Sequence, residues 1–150
     1  MINKFKDNYS FLSNFYVSSI LIRGKEYKSV EHAYQSFKCS RESEHEWIRF
    51  APTSSKAKYF GKKVKVRKNW DNMKYDLMLK LLRLKFQNEK LRQLLLDTND
   101  EELIEENYWH DNYWGDCTCD KCNSITGYNY LGKLLQQVRL EILTEISLFE

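Results

Sequence analysis

Long apolar runs are missing from this 150-residue sequence, and none approaches the ~20 residues that cross a bilayer. The first residues, MINKFKDNYSFLSNFY, lack the basic region, apolar core and small-residue cleavage site of a secretory signal. Both absences lead to the expectation of a cytoplasmic protein with no membrane partner. Proline occurs once, at Pro52, and there is no internal repeat, low-complexity tract or interdomain linker. That excludes collagen-like and disordered classes and leaves one domain over residues 1–150, long enough to bury a core without disulfide or metal staples. Charge of one sign is also missing. With 24 Lys and Arg against 21 Asp and Glu the net charge is +3, compatible with a phosphate-bearing ligand but unlike the basic stripe of a dedicated DNA-binding domain.

Aromatic residues are abundant instead, with ten tyrosines and four tryptophans. Beyond the needs of a core, such residues line pockets for flat ligands.

Along the chain, Gly24 and the β-prone run YVSSILIR predict a loop and one or two strands before residue 29. Ser29 is placed to cap a helix ending near Ser40, with Val30, Ala33 and Phe37 at helical spacing. A second helix is predicted from about Glu42 to Ala51, and a third is capped by Thr53 and ends at Gly61. A long helix follows with Trp70, Met73, Leu77, Leu81 and Leu84 as its apolar stripe, then a shorter one over EKLRQLLLDT. The segment from Asp100 to Gly127 has no clean period, and long irregular segments in compact domains are usually functional. A last helix is expected from about Asn129 to Ser147, with Leu131, Leu134, Leu135, Val138, Ile142 and Ile146 facing the core.

Within the first helix, Glu31, Tyr34, Gln35 and Lys38 recur at i, i+3, i+4 and i+7 and share one face. One reading is a solvated polar face. The other is a helix lining a cavity, with a carboxylate as general acid or base and a lysine depressed in pKa by burial as nucleophile. In HDNYWGD, Asp111 precedes Trp114 and Gly115, a combination suited to stacking a nucleobase; the alternative is a tryptophan that plugs the core. Trp70 carries the same two readings. The basic run Lys62, Lys63, Lys65, Arg67 and Lys68 is either a phosphate contact or solvated. The turn GYNYLGK places Asn129 as a cap for the last helix, whose first amides offer an anion site.

Cys117, Cys119 and Cys122 form C-x-C-x-x-C, and Cys39 lies far away in sequence. Clustered thiols without a secretory signal read as metal or redox chemistry. Three thiolates with Cys39 or His110 as fourth ligand make a candidate structural zinc site; the alternative is reduced free thiols. His32 and His45 read as surface or packing residues.

Taken in order, YSFLSNFY, GKEYKSVEHAYQSFK, AKYFGKKVKVRKNW, LRLKFQNEKLRQLLLDT and DNYWGD with GYNYLGKLLQQVR resemble the NADAR (YbiA-like) family over nearly the whole chain. The resemblance implies a mainly helical α+β domain with a small β element near its N-terminus. It also implies an N-glycosidase that cleaves a ribose from an amino group of a guanine- or pyrimidine-like base. The expected substrate is a ribosylated nucleobase or nucleotide: first ADP-ribosylated guanine, in DNA, RNA or nucleotides, and second a phosphoribosylamino-pyrimidine intermediate of riboflavin biosynthesis. By motif, Glu31, Lys38 and Asp111 are implied as catalytic, and Asn14, Phe15, Arg67, Trp70 and Trp114 as pocket residues. Tyr34, Gly115 and Asn129 complete the expected binding set from their places on the same helix face, beside Trp114 and in the last turn. No cofactor is required for such chemistry, so zinc would be structural. Where family members carry a short glycine-rich turn, this chain has CTCDKCNSIT directly after a pocket residue, which bears on substrate choice. A rival of another class is a noncatalytic module that binds ADP-ribose or nucleotides; a third is an interaction domain built on the cysteine loop.

Overall fold

The structure is a computed structural model that describes residues 1–149. Its residues fall into two compact units: Asn14–Gln87, and Met1–Ser13 with the chain from Asn88 onward. The secondary structure is mainly helical with short strands. No helix among the described residues is long and apolar enough to cross a membrane.

The Asn14–Gln87 unit begins with an antiparallel hairpin, β1 (Ile20–Ile22) and β2 (Lys25–Tyr27), in the register Ile20↔Tyr27, Leu21↔Glu26 and Ile22↔Lys25. Arg23 and Gly24 form its two-residue turn with φ of 50° and 81°. Positive φ at both positions matches the right-handed twist of paired strands. Four helices follow: α1 (Val30–Lys38), α2 (Glu42–Arg49), α3 (Ser54–Gly61) and α4 (Trp70–Lys85). Ser29 and Thr53 act as the expected caps, accepting from the amides of His32 and Lys56. Each satisfies a donor the helix leaves open. Cys39, Ile48, Ala51 and Ala57 form a buried cluster among the first three helices, flanked by Phe60 and Val64.

The buried face of α4 departs from the expected stripe. Met78, Leu81, Leu82 and Lys85 are buried with Trp70, whereas Met73, Leu77 and Leu84 are only half-buried. Spacing permitted both faces, and the buried one includes Lys85, whose apolar stem lets it occupy a core position. Its ammonium lies 5.7 Å from the Tyr16 ring centroid and 5.3 Å from that of Phe86, and burial pushes its pKa down to about 7.

The second unit opens with a short 3₁₀ helix, Asp7–Leu12, which the sequence pattern did not announce. Then come α5 (Glu89–Leu96), β3 (Glu106–Asn107), β4 (Asp116–Cys117) and α6 (Tyr130–Phe149). Strands β3 and β4 pair in parallel, so the 100–127 segment is less irregular than its sequence suggests. Leu131, Leu134, Leu135, Val138 and Ile142 are buried as expected, and Ile146 is half-buried. Arg139 is buried on α6 and donates to Thr98 Oγ1 at 2.8 Å and to the Glu101 carbonyl at 2.9 Å, tying α6 to the chain after α5.

Candidate active site

Helix α1 is pinned at its start. The Ser29 hydroxyl is 2.7 Å from His32 Nδ1, and His32 Nε2 is 3.0 Å from the Ala51 carbonyl. A carbonyl only accepts, so Nε2 carries the proton and Nδ1 accepts from Ser29. Ser54 Oγ approaches Ser29 Oγ at 3.0 Å and the Phe15 carbonyl at 2.8 Å. Burial, helped by the Lys28 charge and opposed by the Ala51 bond, lowers the His32 pKa and keeps the ring neutral. His32 is thus a packing residue, as is half-buried His45, whose Nε2 meets the Tyr27 hydroxyl at 2.7 Å.

This anchoring sets the residue before His32, Glu31, whose side chain is buried and whose amide donates to the Asn14 carbonyl at 3.0 Å. Gln35 Nε2 donates to Glu31 Oε1 at 2.8 Å. One turn further on, Lys38 Nζ donates to the Gly61 carbonyl at 2.9 Å. The solvated-face reading therefore fails for Glu31 and Tyr34, both buried, and Lys38 is half-buried. Burial lowers the Lys38 pKa; the Lys74 and Lys62 charges add to that, while Cys39 and Glu31 oppose it. An amine shifted this way has a larger neutral, nucleophilic fraction at a given pH.

Gly61 is the platform under this face. A Cβ there would overlap Gln35 Oε1, so only glycine leaves room for the amide that holds Glu31. The sequence marked Gly61 only as a helix stop. Tyr34 and Trp70 stack with ring centroids 5.0 Å apart and planes 29° apart, and both are buried. Trp70 thus packs α4 against α1. Arg67 donates to the Phe37 carbonyl at 3.3 Å, placing a cation at the C-terminal end of α1. Asn14 Nδ2 lies 3.6 Å from Met78 Sδ, and its buried Oδ1 has no partner among the described residues. Phe15, 37% exposed, has the Lys58 ammonium 5.7 Å from its ring centroid.

Asp111, Trp114, Gly115 and Asn129 belong to the other unit. Asp111 Oδ1 accepts from the amides of Tyr113 at 3.1 Å and Trp114 at 2.9 Å, a turn built on its own side chain. Asn107, buried and not singled out by its sequence, accepts from the amides of Trp109 and Asp111 and donates to the Asp111 carbonyl at 2.8 Å. Half-buried Trp114 meets Tyr113 edge-on at 4.7 Å. Gly115 is required by packing, since a Cβ would overlap the Glu105 carbonyl.

Asn129 differs from its expected role. With φ of 52°, it donates from Nδ2 to the Leu103 carbonyl at 2.9 Å and accepts at Oδ1 from the Glu105 amide at 3.0 Å, so its side chain holds the 103–105 segment before β3 instead of capping α6. The first amides of α6 are not an open anion site either. Those of Tyr130 and Leu131 donate to the carbonyls of Tyr113 and Trp114 at 3.1 and 3.0 Å.

The thiols of Cys117, Cys119 and Cys122 gather with His110, their ligand atoms and a ring nitrogen lying within 4.8 Å of one another. Of the two candidate fourth ligands, His110 is the one present. Cys39 sits in the α1–α3 cluster with its Sγ 3.5 Å from the Gln35 carbonyl, and burial raises its pKa to about 11.

A family model described as the NADAR domain matches residues 2–143. The N-glycosidase YbiA of Escherichia coli (strain K12) is 37% identical over 93% of this chain and 85% of its own length. The riboflavin biosynthesis protein VVA0006 of Vibrio vulnificus (strain YJ016) is 33% identical over 91% of this chain, which matches 36% of that protein. The solution structure of E. coli YbiA superposes with a TM-score of 0.81 at 34% identity, covering 97% of this chain and 86% of that one.

Proposed function

The chain belongs to the NADAR domain family, and from that premise we propose that it is an N-glycosidase that releases ribose from an amino group of a guanine- or pyrimidine-like base. The observation that carries this reading is the pair on one face of α1: buried Glu31, held by Gln35, and half-buried Lys38 with its pKa lowered. A binding module has no use for an amine tuned toward neutrality beside a buried carboxylate.

The chemistry consumes one water. The ribosyl amine opens to an imine at C1 as the bond from C1 to the ring oxygen breaks and the amine proton passes to that oxygen, and neutral Lys38 Nζ adds to C1. The C1–N bond to the base then breaks, the base leaving as the free amine with a proton from Nζ. Water adds to C1 of the lysine-bound imine, the Nζ–C1 bond breaks, and sugar and amine are restored. Glu31 carries protons between these nitrogens, the work of a positioned general acid and base. Asp111 is proposed as a further acid, using the oxygen not held by the Tyr113 and Trp114 amides.

The positive field of Lys62 and Lys74 around Lys38 suits a phosphate-bearing sugar, and we take ADP-ribosylated guanine as the first substrate. A second substrate is favoured by the riboflavin biosynthesis name of the V. vulnificus relative: a phosphoribosylamino-pyrimidine. The test is sugar release by mass spectrometry from each substrate, with Glu31→Gln and Lys38→Ala alongside. Release from one substrate, lost in both variants, establishes the hydrolase and its substrate. Binding of ADP-ribose without release, unchanged in Glu31→Gln, would replace it with the binding module.

A further inference from the structure

We propose that His110 Nδ1 and the thiolates of Cys117, Cys119 and Cys122 form a tetrahedral structural Zn²⁺ site that closes the 110–122 loop. Cys119 Sγ and Cys122 Sγ each lie 3.4 Å from the same atom, His110 Nδ1. A ring nitrogen has either one proton or one lone pair, so it makes one good bond to a thiol, whereas an ion among the three atoms satisfies all of them. With Zn–S of about 2.3 Å and Zn–N of about 2.0 Å, tetrahedral angles put nitrogen and sulfur about 3.5 Å apart. The structure already has that edge to within a few tenths of an ångström.

The loop backbone is shaped for the same arrangement. His110 adopts φ of 71°, a left-handed conformation that L-residues avoid unless their surroundings impose it, and its ring reaches the thiols of Cys119 and Cys122. Its amide donates to Cys117 Sγ at 3.3 Å, a bond that favours the thiolate, and the Cys117 amide is held by Asn112 Oδ1 at 2.8 Å. The Cys122 amide closes a turn onto the Cys119 carbonyl at 3.0 Å, bringing the C-x-x-C pair together. Cys117 and Cys122 are buried and Cys119 is half-buried. Four protein ligands leave no position for water or substrate, which marks a structural centre and not a catalytic one. Neighbouring groups orient the ligands, as they do in such sites. Zinc binding releases the thiol protons and links His110, the residue before Asp111, to the 117–122 turn.

The test does not depend on the N-glycosidase reading, because it reads metal. The full chain, expressed with zinc and desalted into metal-free buffer, is expected to hold one zinc by elemental mass spectrometry and to release it on titration with a mercurial. Replacement by Co²⁺ should give intense visible bands and a thiolate charge-transfer band, the signature of tetrahedral sulfur ligation. Cys119→Ser alters the most exposed of the three thiols and should lower zinc retention against a chelator at least tenfold. Cys39→Ser should leave it unchanged. The site is refuted by metal well below one per chain with the loop thiols all reactive, by a disulfide within the cluster, or by retention that Cys119→Ser does not alter.

Discussion

Gly61 supports the polar face of α1 because it has no side chain. Its missing Cβ leaves space for the Gln35 amide, and its carbonyl receives Lys38. Gly61→Ala should therefore act on the site more than on the fold. Alanine gains about 1 kcal/mol over glycine in a helix, offsetting the displacement of a flexible glutamine, so the unfolding midpoint should change little. Glu31 would lose its partner, and misplacement of about 1 Å costs on the order of 10²-fold in turnover. Turnover at the wild-type level would show that Gln35 does not position Glu31. Lys38 gives a second prediction at this scale. If its neutral form attacks, kcat/KM rises with pH along a limb centred below the usual lysine value of 10.5. Lys38→Arg, always charged, should abolish turnover at every pH. An ascending limb that survives this substitution would assign the pH dependence to another group. That Glu31 and Lys38 share one face of α1 was legible from helix spacing, whereas their catalytic roles are implied only by the family resemblance. Asn129 was misread because a residue before a helix resembles a cap, while its partners at Leu103 and Glu105 are distant in sequence.

Among elements, the caps of α1 and α3 were legible because Ser29 and Thr53 act on amides three residues away. The buried face of α4 was not, because both candidate stripes satisfy helical spacing and packing chooses between them. The β3–β4 pair was equally hidden: two-residue strands carry no period, and their parallel register rests on partners ten residues apart. Asn107, at the end of β3, holds the turn that carries Asp111. Three of its bonds go to loop backbone, and it is buried. At about 1 kcal/mol for each hydrogen bond, with more for groups left buried and unpaired, Asn107→Ala should cost roughly 2–4 kcal/mol. Asn107→Asp keeps the two acceptor bonds and loses the donor, so it should cost less. Urea denaturation measures both, and equal losses would mean that the Asp111 carbonyl bond carries the effect.

For the whole molecule, acid sensitivity is set by the groups whose pKa values folding shifts. His32 and His45 both have pKa values lowered chiefly by burial, from an ordinary 6.5. Below pH 6.5 the unfolded chain takes up protons that these folded rings resist, so stability falls as pH falls, down to the folded pKa values. Glu46 adds a second limb. Hydrogen bonds from Lys25 and then Arg49 lower its pKa to about 2, so its contribution is present above 4.5 and is lost as pH falls toward 2. The thermal midpoint should thus decline in two stages, one starting near pH 6.5 and one near 4.5. Glu46→Gln should diminish the lower stage and leave the upper one. His32→Asn should lower the midpoint at pH 7.5, where the Ser29–His32–Ala51 chain is broken, yet flatten the upper stage, with His45 supplying what remains. A midpoint that stays level from pH 7 to 5 in the wild type would mean that both histidines titrate alike folded and unfolded, and that the neutral His32 anchoring α1 is not maintained against acid.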